Sequence, residues 1–259
     1  MQTWKLTLEY DGTRYAGWQV QQNARTVQGE LINAAQTFFN TKVDICGSGR
    51  TDAGVHALNQ VAHLRLKESV LLSGRKIQMG LNDLLPPDIH ILKVESPFGG
   101  FHARHDAVSR YYIYQISKRR TAFGKQYVWW VKDKLSLETM DKCCKLLTGK
   151  HDFHSFCETP KEEKSTIVTV ETAQLFTTGD LILFRVGASH FLWKMVRRIV
   201  GALVEVGRGN LTVPEFKKLL ETKSKDTAPF TAPPSGLFLT QVLYKGDEIK
   251  KIEPPFPVR

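Results

Sequence analysis

The chain has 259 residues, 42% of them hydrophobic and 24% charged, ordinary values that exclude a disordered or fibrous polymer. At roughly 100–200 residues per domain it is one large or two modest domains, and either can bury a real core. Lysine plus arginine exceed aspartate plus glutamate by 36 to 26, a formal net charge of +10, which favours a polyanionic partner such as nucleic acid. The excess is uneven, +2 over residues 1–105 and +8 over residues 106–259. Cys46, Cys143, Cys144 and Cys157 form no CxxC pair, so reduced thiols in a cytoplasmic protein are expected. No apolar leader opens the chain. The stretch from Phe191 to Val206 carries Lys194, Arg197, Arg198 and Glu205, so neither a secretory signal nor a membrane span is expected.

Trp4, Leu6, Leu8 and Tyr10 alternate with Lys5, Thr7 and Glu9, which predicts a half-buried strand ending at Asp11-Gly12. Thr26 caps a predicted helix that turns Val27, Leu31, Ala34, Ala35 and Phe38 inward. Strands are predicted near Val43–Cys46 and over Asn59–Leu66, then a helix over Arg75–Leu84 and a strand over Ile89–Glu95. In the second half, strands are predicted over Val108–Ser117, Gln126–Val131, Ile167–Phe176, Leu181–Gly187 and Leu237–Tyr244. Helices are predicted over Leu137–Leu147, over Phe191–Val206 with Gly207 closing it, and over Val213–Leu220. Each half mixes its elements in a β-α-β style. The expected fold class is therefore α+β, two ferredoxin-like or RRM-like domains with mainly antiparallel sheets. The expected domains are 1–105, with the glycine-rich acidic loop, and 106–246, with the basic helix, followed by an extended proline-rich tail over 247–259.

That loop is Gly47-Ser48-Gly49-Arg50-Thr51-Asp52-Ala53-Gly54-Val55-His56. It is not a dinucleotide fingerprint, because Asp52 stands where the third glycine of GxGxxG belongs and would repel a pyrophosphate. No GxxxxGK[ST] loop occurs. Taken alone, Asp52 reads first as a turn or cap residue, since Thr-Asp-Ala-Gly is good turn chemistry.

Gly49-Arg50-Thr51-Asp52-Ala53-Gly54-Val55-His56 resembles the signature of the tRNA pseudouridine synthase A family, bacterial type. Glu9 to Gln19 resembles the family's opening. Phe101-His102-Ala103-Arg104, Arg110-Tyr111-Tyr112, His151-Asp152-Phe153, Met195 to Gly201, Val206 to Gly209 and Ala232 to Leu237 match in the same order. The likeness runs from about Trp4 to Tyr244. It implies isomerisation of uridine to pseudouridine at tRNA positions 38–40, in the anticodon stem-loop. It also implies an active-site cleft between the two domains and a homodimer, cytoplasmic, with no cofactor and no metal. Asp52 matches the catalytic aspartate, as nucleophile or as the base of a glycal route. Arg50 matches the arginine that pairs with this carboxylate or with a phosphate. Tyr112 matches the tyrosine that faces the uracil, on a strand face shared with Arg110 and Tyr114 and opposite Tyr111.

For RNA contact, Lys194, Arg197 and Arg198 at i, i+3 and i+4 make one basic stripe on the predicted helix. Lys118-Arg119-Arg120 adds a cluster, and Arg14, Arg25 and Arg110 are further candidates. His151, His154 and Cys157 can be drawn as metal ligands, but a fourth partner at matching spacing is missing. His56 and His63 read as structural. The rival readings are a non-catalytic RNA-binding module on this fold and a pseudouridine synthase with a different RNA target.

Overall fold

A computed structural model describes residues 2–97, 99–158 and 165–257. The chain splits into two compact units, Met1–Val108 with Leu239–Ile249, and Ser109–Phe238 with Lys250–Arg259.

The first unit opens with β1 (Gln2–Tyr10), whose Trp4, Leu6, Leu8 and Tyr10 are all at most 4% exposed, as the alternation requires. Next come α1 (Val27–Phe39), β2 (Asp44–Gly47), β3 (His56–Leu66), α2 (Gly74–Leu84) and β4 (Ile89–Glu95). The strand order is β4-β1-β3 with β2 on the far side of β3, and every pair is antiparallel. This is the ferredoxin-like β-α-β-β-α-β arrangement. The Thr26 side chain accepts a hydrogen bond from Gly29 N–H, capping α1 as expected, and Val27, Leu31, Ala34 and Ala35 are buried. Phe38 is only half-buried and lies over Gly80 of α2. Segment 239–249 returns to this unit late in the chain: Val108 N–H donates to Leu243 O (2.8 Å) and the Tyr244 hydroxyl to Ala103 O (2.7 Å).

The second unit holds β5 (Ser109–Ser117), β6 (Trp129–Trp130), α3 (Leu137–Leu147), β7 (Gly149–Asp152), β8 (Ile167–Thr178), β9 (Leu181–Ala188), α4 (Met195–Arg208) and α5 (Val213–Glu221). Its strand order is β5-β9-β8-β7, all antiparallel, with β6 parallel to β5. The last strand, β10 (Leu237–Leu243), begins in this unit and ends in the first. All nine residues of β5 are buried, so both of its faces are covered.

Two expectations are corrected here. Gln126–Val131 is not one strand. Gly124 takes a left-handed conformation, Lys125–Tyr127 forms a 3-10 turn, and only Trp129–Trp130 pairs with Ile116–Ser117. Tyr127 instead packs its ring on Phe256 at 4.3 Å. The helix expected over Phe191–Val206 runs over Met195–Arg208, because Lys194 is left-handed (φ 61°) at its start. Gly209 rather than Gly207 closes it, with φ 83° and its N–H bonded to Glu205 O and Val206 O. Gly207 lies inside the helix, where a Cβ would come within 2.7 Å of Met140 Sδ of α3.

The polar end of α4 is short, and its other faces are packed. Ile199, Val200, Ala202 and Val204 are fully buried, and burial of each larger side chain contributes about 1.5–3 kcal/mol. Among the described residues no helix is long and apolar enough to cross a membrane.

Candidate active site

The acidic loop lies between β2 and β3, and the opening motif holds it on nearly every side. Trp18 N–H donates to Thr51 O (3.1 Å) and Gly54 N–H to Tyr15 O (3.3 Å). Val55 N–H closes the turn onto Asp52 O (3.1 Å). Gly12 N–H donates to His56 Nδ1 (3.1 Å). From below, Gln60 Nε2 donates to Gly49 O (3.2 Å) while its Oε1 accepts from the Ser48 hydroxyl (2.7 Å). Tyr10, Trp18, Gln60 and His56 are at most 4% exposed. The two most distinctive stretches of sequence are therefore each other's scaffold.

Thr51 points inward, 7% exposed, its hydroxyl 2.8 Å from the Tyr10 hydroxyl. Burial pushes that tyrosine up to about 12, with the Thr51 and Gln60 side chains opposing the shift, so it stays neutral. Arg50 is exposed and Asp52 half-buried. The two neighbours of Thr51 in the loop are thus both more accessible than Thr51 itself. A main chain held this way loses little freedom when a substrate binds. Sequence reasoning missed Tyr10, Trp18 and Gln60. The first two stand inside the family-like opening, so proximity of motifs was the available signal; nothing in the sequence marked Gln60.

The other candidates divide. Arg14 is exposed at the end of a 3-10 turn. Arg25 is held within its own unit: its Nε donates to Glu30 Oε1 (2.6 Å) and its guanidinium lies 4.7 Å from the Tyr15 ring centroid. Arg110 is 8% exposed and donates to Ser189 O (2.8 Å).

On β5 the tyrosines separate by what their hydroxyls meet. Tyr111 donates to Glu171 (2.9 Å), and burial with that carboxylate pushes it up to about 12. Tyr114 donates to Pro233 O (2.7 Å), and burial holds its pKa well above the usual value. Tyr112 is 7% exposed, and its ring meets Phe191 edge-on at 5.0 Å.

The basic stripe does not exist as drawn. Arg198 is 5% exposed and donates to Cys157 O and to Glu158 Oε2 (2.7 Å). It therefore ties α4 to the chain after the 3-10 turn His154–Phe156 and offers little to a phosphate. Lys194 stands at the helix cap with its Nζ 3.0 Å from Glu158, and this contact holds the Glu158 carboxyl below its usual range. Arg197 donates to Ala232 O (2.7 Å). Replacing Arg198 by methionine is expected to cost about 1–3 kcal/mol of stability, read as a lowered urea midpoint, with an unchanged salt slope of tRNA binding.

His151, His154 and Cys157 serve the fold. Asp152 Oδ1 accepts from His154 N–H (3.0 Å), His151 Nε2 meets Thr148 O (3.0 Å), and Cys157 is 2% exposed. Among the described residues, the ligand-type atoms that do cluster, within 4.8 Å of one another, are those of Cys46, His63 and His102. Their chemistry does not suit a metal. His63 Nδ1 accepts from Ala103 N–H (3.1 Å), and His102 Nδ1 from Arg104 N–H (3.2 Å) and His105 N–H (3.3 Å). A neutral ring so bonded carries its proton on Nε2 and has no lone pair left to donate.

A half-buried carboxylate on a turn held by main-chain hydrogen bonds, in a chain of net charge +10, suits a protein that acts on nucleic acid. Residues 7–106 and 143–245 match the family model described as tRNA pseudouridine synthase. A tRNA pseudouridine synthase A from Dictyoglomus thermophilum is 39% identical over 246 residues, 94% of this chain and 100% of that protein. Those of Exiguobacterium sp. and Brachyspira hyodysenteriae are 40% and 37% identical, covering 93% and 94% of this chain and 97% and 98% of those proteins. The chain belongs to the tRNA pseudouridine synthase family, and is an isomerase acting on tRNA.

Proposed function

We propose that the chain converts uridines 38–40 of the tRNA anticodon stem-loop to pseudouridine, working as a cytoplasmic homodimer with Asp52 at the sugar. The observation that carries this reading is the Asp52 turn, gripped by the Tyr15–Trp18 backbone and presenting a half-buried carboxylate beside exposed Arg50.

In the reaction the N1–C1′ bond breaks, the uracil turns, and C5 bonds to C1′. C5 loses its proton and N1 gains one. Asp52 enters by one of two routes. It forms a bond to C1′ that the C5 attack later displaces, or it removes the C2′ proton and returns it after a glycal intermediate. Arg50 orients the carboxylate or meets a phosphate. Tyr112 faces the uracil and helps remove the C5 proton. No electrons are exchanged overall and no water is split, so the bond changes call for no redox cofactor or metal-activated water. Drawing a base out of a stem costs a few kcal/mol, offset by phosphate contacts, for which Lys194, Arg197 and Arg14 are the candidates.

Tritium release from C5-labelled tRNA tests the reading. Release with the label lost at 38–40 supports it; tight binding without release supports a non-catalytic RNA-binding module, and modification elsewhere supports a different RNA target. Tyr112→Phe is expected to lower turnover about 10²-fold with affinity nearly unchanged, the size of a lost acid–base group. Lys194→Gln and Arg197→Gln are each expected to reduce the slope of log affinity against log salt by about 0.7–0.9. Unchanged slopes would remove both from the interface.

A further inference from the structure

We propose that the face of the first unit formed by Cys46, His63 and Arg65 binds a phosphate group. Antiparallel pairing sets Cys46 opposite His63 and Asp44 opposite Arg65, so the four side chains share one face of the β2–β3 ladder. The segment after Phe101 covers them. Ala103 N–H donates to His63 Nδ1 (3.1 Å), Arg65 donates to Phe101 O (3.2 Å), and the His102 ring lies 4.6 Å from that of His63.

The Ala103 contact decides what the site can bind. It leaves the His63 proton on Nε2, pointing away from the amide. His63 is 1% exposed, and its Nε2 has no hydrogen-bond partner among the described residues. Arg65 Nε is buried and equally unpartnered. Buried donors without acceptors are rare, because each has given up its water for nothing. The nearest carboxylate oxygen, Asp44 Oδ2, is 3.8 Å from both His63 Nε2 and Arg65 Nη1, beyond hydrogen-bond reach, on a side chain 64% exposed.

What fits is a small anionic ligand with several acceptor oxygens. A metal is excluded by the ring tautomer. Burial, with Arg65 and His102 beside it, holds His63 down to about 4, so it acts as a neutral N–H and not as a counter-charge. Burial, with Asp44, pushes the Cys46 thiol up, and the cations that oppose this are Arg104, Arg65 and Arg50. Arg50 also begins the Asp52 turn, so this face and the acidic loop are continuous along the chain. On the reading above, the phosphate belongs to a nucleotide flanking the target uridine. Free phosphate has the same chemistry.

Long-range proton–nitrogen NMR of the histidine rings in the full chain tests this. Inorganic phosphate at millimolar concentration is expected to shift the His63 Nε2 signal, and an anticodon stem-loop RNA to shift it likewise, with phosphate competing for the RNA effect. Asp44→Asn removes the carboxylate facing the same donors and is expected to tighten phosphate binding about fivefold, whereas exposed Glu68→Gln, with the same charge change, leaves it within about twofold. A response to phosphate but not to RNA keeps the site and assigns it to the free ion. No response of His63 to phosphate, or equal effects of the two substitutions, overturns the proposal. Loss of pseudouridine formation with an intact phosphate response instead counts against the proposed function alone.

Discussion

Replacing Asp52 by alanine should abolish pseudouridine formation, with turnover falling about 10⁴-fold or more, as when a nucleophile or its base is removed. Affinity for tRNA should stay within about threefold, because phosphate contacts dominate binding. The turn itself should survive, since its bonds are made by main-chain atoms: Trp18 N–H to Thr51 O, Gly54 N–H to Tyr15 O and Val55 N–H to Asp52 O. Tritium release and filter binding on one labelled tRNA measure both quantities. Turnover near wild type would refute the assignment. Lost binding would show that Asp52 is a structural residue.

Gly17→Ala is the second large effect. Gly17 has φ +99°, and an added Cβ would lie 2.6 Å from Thr51 O and 3.2 Å from Ala53 N. The left-handed backbone costs about 1–2 kcal/mol with a side chain, and the overlap about 1–3 kcal/mol more. The clash falls on the peptide before Asp52, so activity should drop by about tenfold or more even where the protein remains folded. Gly49→Ala is the internal control. It lies in the same loop, its Cβ meets nothing within 4 Å, and its stability should stay within about 0.5 kcal/mol of wild type. Equal denaturant midpoints and equal turnover for the two variants would show that the Gly17 contact does not position the loop.

The helices and strands were legible wherever one face is buried and the ends are marked. The strand over Ile89–Glu95 and the helix over Leu137–Leu147 stand where expected, and Thr26 caps its helix. Legibility failed where long-range contacts outweighed local pattern. Apolar spacing from Phe191 onward is helical, yet Phe191 packs on Tyr112 and Lys194 turns left-handed, so the helix begins later. Val128 to Val131 is rich in strand formers, but Tyr127 is drawn into a turn by Phe256, 129 residues later in the chain. Arg198 shares a helical spacing with two half-buried cations, yet lies fully inside because Cys157 O and Glu158 await it.

By itself the sequence determined the α+β class, the periodic cores of β1 and α1, and the place of the Asp52 loop along the chain, marked by its resemblance to a family signature. These are local properties, carried by side-chain period, capping residues and one distinctive acidic motif. Only the tertiary structure decided that Tyr15 to Trp18 grips that loop, that segment 239–249 returns to the first unit, and that His63 keeps a buried proton facing away from Ala103. Those facts depend on hydrogen bonds and packing between residues tens to more than a hundred positions apart, which spacing along the chain does not encode.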